Sequence, residues 1–251
     1  QNLRYSYNKQ DYKYLVFMNL LPDNRTMTRR PQIERQTMAE FAVDNQLQAD
    51  FWTGQLNHTV LTGLDYKRSR IDSQFFMGTV QTKYNLDWVS PVYGLNIKES
   101  DLSLNSSDLT KLDQVGVYLQ DQIELDKWNF LLSGRYDWSQ LKTLSRKTAT
   151  QDQQDDHAFT GRAGVLYAFD SGISPYISYS TSFEPSTAKG APGTGALDPV
   201  TARQVELGLK YQIPGSSTLL TTALYDLRQK NISQYDQALA YNVPIGEVQS
   251  Q

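Results

Sequence analysis

The sequence predicts an all-β chain: an antiparallel, up-and-down transmembrane β-barrel. Three observations predict it. Strand-like segments alternate apolar and polar residues with period two. Their joints are short and long in turn, the sorting expected when the two ends of a barrel face different compartments. Aromatic residues abound, with 16 Tyr, 9 Phe and 4 Trp in 251 residues, and they suit both strands and membrane–water interfaces.

Taken in order, Gln1-Asn2-Leu3-Arg4-Tyr5 opens a first strand over 1–8. Residues 9–35 carry an apolar patch, Tyr14 to Met18, then Leu20-Leu21-Pro22 and a basic-polar stretch to Pro31. They read as a long loop with local structure. In the strand 36–52, Phe41, Val43, Asn45, Leu47, Ala49 and Phe51 oppose Ala42, Asp44, Gln46, Gln48 and Asp50. Thr53-Gly54-Gln55 turns the chain into 57–74, and 76–111 reads as a long loop. The strands 112–125 and 128–144 meet at Asp126-Lys127. In the second of them Phe130, Leu132, Gly134, Tyr136 and Trp138 oppose Leu131, Ser133, Arg135 and Asp137. After a polar loop over 145–157, the strands 158–169 and 174–185 flank Asp170-Ser171-Gly172. A further loop, 186–201, leads to 202–213, where Val205, Leu207, Leu209 and Tyr211 oppose Gln204, Glu206 and Lys210. Pro214-Gly215-Ser216 then joins 217–232, and a loop over 233–239 precedes 240–251. Glycine and proline in these short joints supply the backbone angles that tight hairpins use.

Composition narrows the function classes. The net charge is −3 and no basic cluster points to nucleic acid. With no cysteine, disulfides and thiolate chemistry are excluded. No run of about 18 apolar residues marks a membrane helix, and a barrel needs none. The charged, Gln-rich faces favour a wet lumen, so Arg135, Asp137, Arg162, Glu206 and Lys210 are expected to point inward. No domain boundary or fixed-period repeat is visible, and 1–251 reads as one unit.

Gly116-Val117-Tyr118-Leu119-Gln120-Asp121-Gln122, then Gly134-Arg135-Tyr136-Asp137, then Pro175 to Pro185, then Gln204 to Tyr211 form an ordered series. It resembles the barrel of TonB-dependent siderophore receptors. Asp44 to Gln48 together with Thr59 to Tyr66 resembles the ferrichrome, or hydroxamate, branch. The resemblance covers the whole chain. It implies a bacterial outer-membrane barrel of 22 strands around a plug. About ten strands are counted here, with no plug and no energy-coupling box, so the chain reads as a partial barrel. The implied function is capture of a ferric siderophore outside and import driven by the TonB energy-coupling complex. A phage or bacteriocin is a further implied partner, and outer-membrane lipid surrounds the wall. A passive porin-like channel and a soluble β-sandwich or adhesin domain are the alternatives.

No enzymatic activity and no cofactor are expected; ferric iron enters only inside the siderophore. Such chelates are held largely by aromatic side chains. The implied contacts are Tyr12 and Tyr14 in the first long loop, Phe75 and Phe76 at the end of a rising strand, Tyr84 and Trp88 in the loop beyond, and Phe183. Each is also readable as an interface-belt or loop-core aromatic. The acidic residues Asp152, Asp155 and Asp156 lack calcium-loop spacing. The glycine-rich run Gly190 to Gly195 lacks a phosphate loop's lysine and reads as a flexible surface loop. His58 and His157 have no triad partner nearby in sequence.

Overall fold

The computed structural model describes residues 1–191, 194–236, 239 and 241–251. Among these, eleven strands form one antiparallel sheet: β1 (Asn2–Leu20), β2 (Thr26–Thr53), β3 (Leu56–Gly78), β4 (Leu86–Asp87), β5 (Leu102–Leu125), β6 (Trp128–Ser145), β7 (Thr150–Tyr167), β8 (Ile173–Glu184), β9 (Val200–Gln212), β10 (Leu219–Asp236) and β11 (Tyr241–Ser250). Ten of them make a continuous wall in chain order, and the two-residue β4 pairs with the far end of β2. The wall is therefore up-and-down, as the sequence predicts.

Register separates the two faces. Asp44, Asp65, Gly116 and Asp137 are successive partners across β2, β3, β5 and β6. One residue further along, Val43, Tyr66, Val115 and Trp138 form the next row, on the opposite face. The second face is apolar and open. Val205, Leu207 and Leu209 are 47%, 56% and 39% exposed, with no second layer over them. A sandwich would bury these residues, so that alternative fails.

The apolar face carries two aromatic girdles. At the short-turn end Trp128 meets Tyr167 edge-on at 4.7 Å, and Tyr167 meets Phe169 at 4.7 Å. At the other end Trp138 packs on Tyr136 at 4.6 Å. Trp128 and Trp138 lie ten residues apart on β6, which on a tilted strand is a rise of about 25 Å, the height of an outer-membrane apolar band.

The inward face is held by polar bridges. Arg135 pairs with Asp65 and, at 2.6 Å, with Asp137. Tyr118 donates to Asp44 at 2.8 Å, and its ring fills the space left by Gly63, where a Cβ would sit 2.4 Å from it. Tyr176 lies over Gly208 in the same way and donates to Glu206 at 2.6 Å. Arg162 and Lys210 share this face through their pairing with Ser133 and Ser174.

The structure corrects the loop expectations. Residues 9–35 are mostly strand, with β1 and β2 running up to a turn at 21–25. There Asn24 has φ 51° and Asp23 accepts from the amides of Arg25 and Thr26 at 2.9 Å. Residues 145–157 are mostly strand around a turn at 146–149, and 233–236 continue β10. Gln237, Ala238 and Ala240, within the expected 233–239 loop and at the start of the expected last strand, lie outside the described residues. The physical reason is uniform. Above the membrane both faces of a strand are wet, so alternation fades and strand reads as polar loop. Among the described residues two long joints remain, within 79–101 and 185–199.

Face assignment predicts an asymmetric response. Leu119→Arg, outward near mid-band, is expected to cost about 2–4 kcal/mol of folding stability in lipid. Gln120→Arg, one residue on and facing inward, should cost under about 1 kcal/mol. Denaturant titration of the protein folded into vesicles compares them.

Candidate functional site

The strands β1, β2 and β3 rise well past the upper girdle. Counting from the row Leu3-Val43-Tyr66, Tyr14 stands eleven residues higher, about 27 Å on a tilted strand. Three of the six inward-facing positions in two successive rows at this height are aromatic. Tyr12, Glu34 and Phe75 occupy one row across the three strands, and Tyr14, Gln32 and Met77 the next. Tyr12 is 55% exposed and Tyr14 38%. Partial burial, with the nearby Glu34 carboxylate, pushes the Tyr14 phenol up against the opposing pull of Arg30. Like an ordinary phenol, its hydroxyl is a hydrogen-bond donor at neutral pH.

Phe183 reaches the same lumen from the opposite direction. The pairing of β7 with β8 stops at Ser180, while β8 continues beside β9 to Glu184. The chain then leaves the wall and bends inward. Phe183 lines a cleft of about 240 Å³ with Lys67, Ser69 and Ile71 of β3 and Leu112 of β5. All four wall residues are inward-facing. The joint 185–199 crosses the lumen as a strap. Lys189 pairs with Asp108 at 2.8 Å, and the carbonyls of Lys189, Leu197 and Pro199 accept from Asn242, Gln154 and Asn231 at 3.0, 3.3 and 3.0 Å. Leu141 and Thr143 of the inner wall are buried beside it. Of the expected glycine-rich loop, Pro192 and Gly193 lie outside the described residues. The rest belongs to this strap, with Gly190 and Gly195 hydrogen-bonded across it at 3.0 Å.

The remaining predicted site residues lie elsewhere. Phe76 follows Phe75 and so faces outward, opposite Ile33. The joint 79–101 folds against that outer face. Tyr84, Ile97 and Ile33 form a buried cluster there, joined by Leu15, Phe76 and Leu102. Tyr84 is 2% exposed, and its hydroxyl donates to Asp101 at 2.5 Å. Trp88 is tied by its indole N–H to the Asn24 carbonyl at 2.9 Å, at the tip of the β1–β2 hairpin. The structure thus brings Tyr12, Tyr14, Phe75 and Phe183 to one lumen. It places Phe76 and Tyr84 in a clamp outside the wall, with Trp88 at its tip.

Sequence reading missed the strap and the bridge from Arg135 to Asp65, which joins residues 70 positions apart. It also missed the partner of His58, whose Nδ1 lies 2.8 Å from Asp121 while Phe51 stacks on the ring at 5.0 Å. Asp155, expected in a loop, sits on β7 and accepts from Gln140 and Gln153 at 2.7 and 2.8 Å.

Three carboxylates hold the outer clamp. The Arg25 guanidinium keeps Asp87 at about 2. Arg35 and Lys13 lower Glu99, and Lys83 and Tyr84 lower Asp101. Lowered values mean that the attachment is complete above the ordinary carboxylate range and lost as pH falls through the folded values. Hydrogen exchange, corrected for intrinsic rates, should show 82–101 equally protected from about pH 7 to pH 5 and released as pH approaches about 2.

The comparisons agree with this geometry. The family described as TonB dependent receptor-like, beta-barrel matches residues 1–251. The ferrioxamine receptor of Yersinia enterocolitica is 37% identical over 259 residues, covering 100% of this chain and 36% of that protein. The ferrichrome outer membrane transporter/phage receptor of Escherichia coli K12 is 37% identical over 228 residues, covering 89% of this chain and 30% of that protein. Among solved structures, the siderophore receptor PiuA of Acinetobacter baumannii superposes with a TM-score of 0.80 at 20% identity, over 98% of this chain and 40% of that one. The chain thus spans about a third of the length of these curated relatives.

Proposed function

The chain belongs to the TonB-dependent receptor β-barrel family, and from that premise we propose that it supplies wall and mouth of an outer-membrane receptor for ferric hydroxamate siderophores. One observation carries the reading. Tyr12, Tyr14 and Phe75 converge on the inward face far above the lipid band, with Phe183 lower in the same lumen. A ferric hydroxamate has its metal fully coordinated and presents a bulky, partly apolar rim. Aromatic faces and phenol donors suit that rim, and no protein ligand to the iron is needed. The relatives named for ferrioxamine and ferrichrome support the same ligand class.

In this proposal the strap over 185–199 borders the ligand from below. Import is coupled to the TonB complex in the receptor as a whole, and no enzymatic step is involved. The exposed tip of the outer clamp, with Val92 and Tyr93, is the surface offered to a phage or bacteriocin.

Tryptophan quenching of the receptor extracted from outer membranes, titrated with ferrichrome and with ferrioxamine, tests the ligand class. Tyr12→Ala, Tyr14→Ala and Phe75→Ala are each expected to weaken binding roughly 5- to 50-fold. Tyr84→Ala should instead release the clamp with little change in affinity. Flux that rises linearly with ligand, without saturable binding, would favour a passive channel and reject the proposal.

A further inference from the structure

The wall carries a seam between β7 and β8. On its other edge β7 stays paired with β6 up to Thr150, but β8 leaves β7 after the pair Arg162–Ser180. The Gly161 amide donates to the Thr181 hydroxyl at 2.9 Å, and that hydroxyl donates to the Gly161 carbonyl at 3.4 Å. A side chain thus stands where the ladder would place the Thr181 backbone. The Gly161 amide points at β8, so the amides and carbonyls of Phe159 and His157, two and four residues on, point the same way. Among the described residues they have no ladder partner on that side.

Height makes this open edge costly. Phe159 pairs with Tyr136, and His157 with Trp138, at the upper girdle. At the margin of the hydrocarbon, backbone groups need a partner. The sequence of β8 supplies one. Continuing the register past Ser180 sets Thr181 against Gly161, Phe183 against Phe159 and Glu184 against Ala158. Period two continues as well: on a paired strand Tyr179, Thr181 and Phe183 face lipid, and Ser180, Ser182 and Glu184 face the lumen. Phe183 would then join Tyr136 and Phe159 in one aromatic row at the girdle. Pro185 ends the zipper, because it has no amide to give the His157 carbonyl. In the structure the same segment is swung into the lumen, where Phe183 and Thr187 line the cleft with Ile71 and Leu112.

We propose that residues 181–184 have two seats, one zipped to β7 and one in the lumen, and that a bound siderophore selects the lumen seat through Phe183. The coupling to ligand rests on the ferric-siderophore reading; the two seats do not. The zipped seat pairs the backbone and adds a ring to the girdle. The lumen seat keeps Gly161 capped by Thr181 and half-buries Phe183 against β3 and β5. In both, β9 follows β8, to which it is paired up to Glu184. A ligand shifts such an equilibrium by contacting one seat better than the other, and only the lumen seat offers it the Phe183 ring.

Cysteine pairs read the two seats in receptor kept in outer membranes. In the zipped seat Ala158 and Glu184 form a non-hydrogen-bonded pair with Cα atoms about 4.5 Å apart, within disulfide reach. A158C/E184C reports that seat under mild oxidation. I71C/T187C, joined by a short bifunctional thiol reagent, reports the lumen seat. Without ligand both pairs should cross-link. Saturating ferrichrome or ferrioxamine should slow the A158C/E184C disulfide about 5-fold or more, and T181V, which removes the cap on Gly161, should speed it. The oxidised A158C/E184C receptor should bind ligand more weakly and recover on reduction. Cross-linking of only one pair in ligand-free receptor would overturn the two seats. Equal disulfide rates with and without bound ligand would overturn the coupling. Absent tryptophan quenching by either chelate would reject the ferric-siderophore reading and the coupling with it, while the two cross-links still decide the seats.

Discussion

Hydrocarbon contains no partner for a backbone N–H or C=O, and that constraint organises this chain. Each wall strand pairs with its neighbours along the sheet, leaving side chains alone to distinguish lipid from water. They do so through period two. Along β6 the sequence passes from Phe130 and Leu132 to Tyr136 and Trp138 on one face, with Ser133, Arg135 and Asp137 on the other. A slip of β6 by one residue would send Arg135 and Asp137 into lipid and leave Asp65 of β3 without its partner. The inner bridges and the outer apolar band therefore enforce the same register.

Above the band the constraint relaxes, and the chain uses its two faces differently. The outer face of β1–β3 receives the joint 79–101, sealed by Tyr84, Ile97 and Ile33, tied down by ion pairs of Asp87 and Glu99 with Arg25 and Arg35, and braced internally by Lys83 and Asp101. This covers the outer side of strands that stand far beyond the membrane. With that side closed, the inner side of the same strands presents Tyr12, Tyr14 and Phe75. Clamp and mouth are two faces of one structure. The strap over 185–199 adds a second boundary from within, joining β5 and β7 to β10 and β11.

Legibility followed solvent. Where one face met lipid, alternation gave the strands and their facing directly, and Arg135, Asp137 and Glu206 were placed inward from spacing alone. Where both faces met water, residues 9–35 and 145–157 looked like loops and proved to be strands. The candidate site shows the same division. Tyr12, Tyr14, Phe75 and Phe183 reach the lumen, but adjacent residues on a strand face opposite ways, so Phe75 and Phe76 cannot share a ligand. That Tyr84 serves as a core residue depends on contacts with Ile33, 51 positions away in number, which no local pattern encodes.

The central claim is that period two sorts this wall into a lipid face and a water face. The chain contains no cysteine, so single spin labels can be introduced without background. Labels at Phe130→Cys, Leu132→Cys and Tyr136→Cys should relax with oxygen dissolved in the bilayer. Labels at Leu131→Cys, Ser133→Cys and Asp137→Cys should relax with a water-soluble nickel chelate. A strict alternation of the two along β6 is the predicted result. Equal accessibility to both reagents at successive positions would contradict the account.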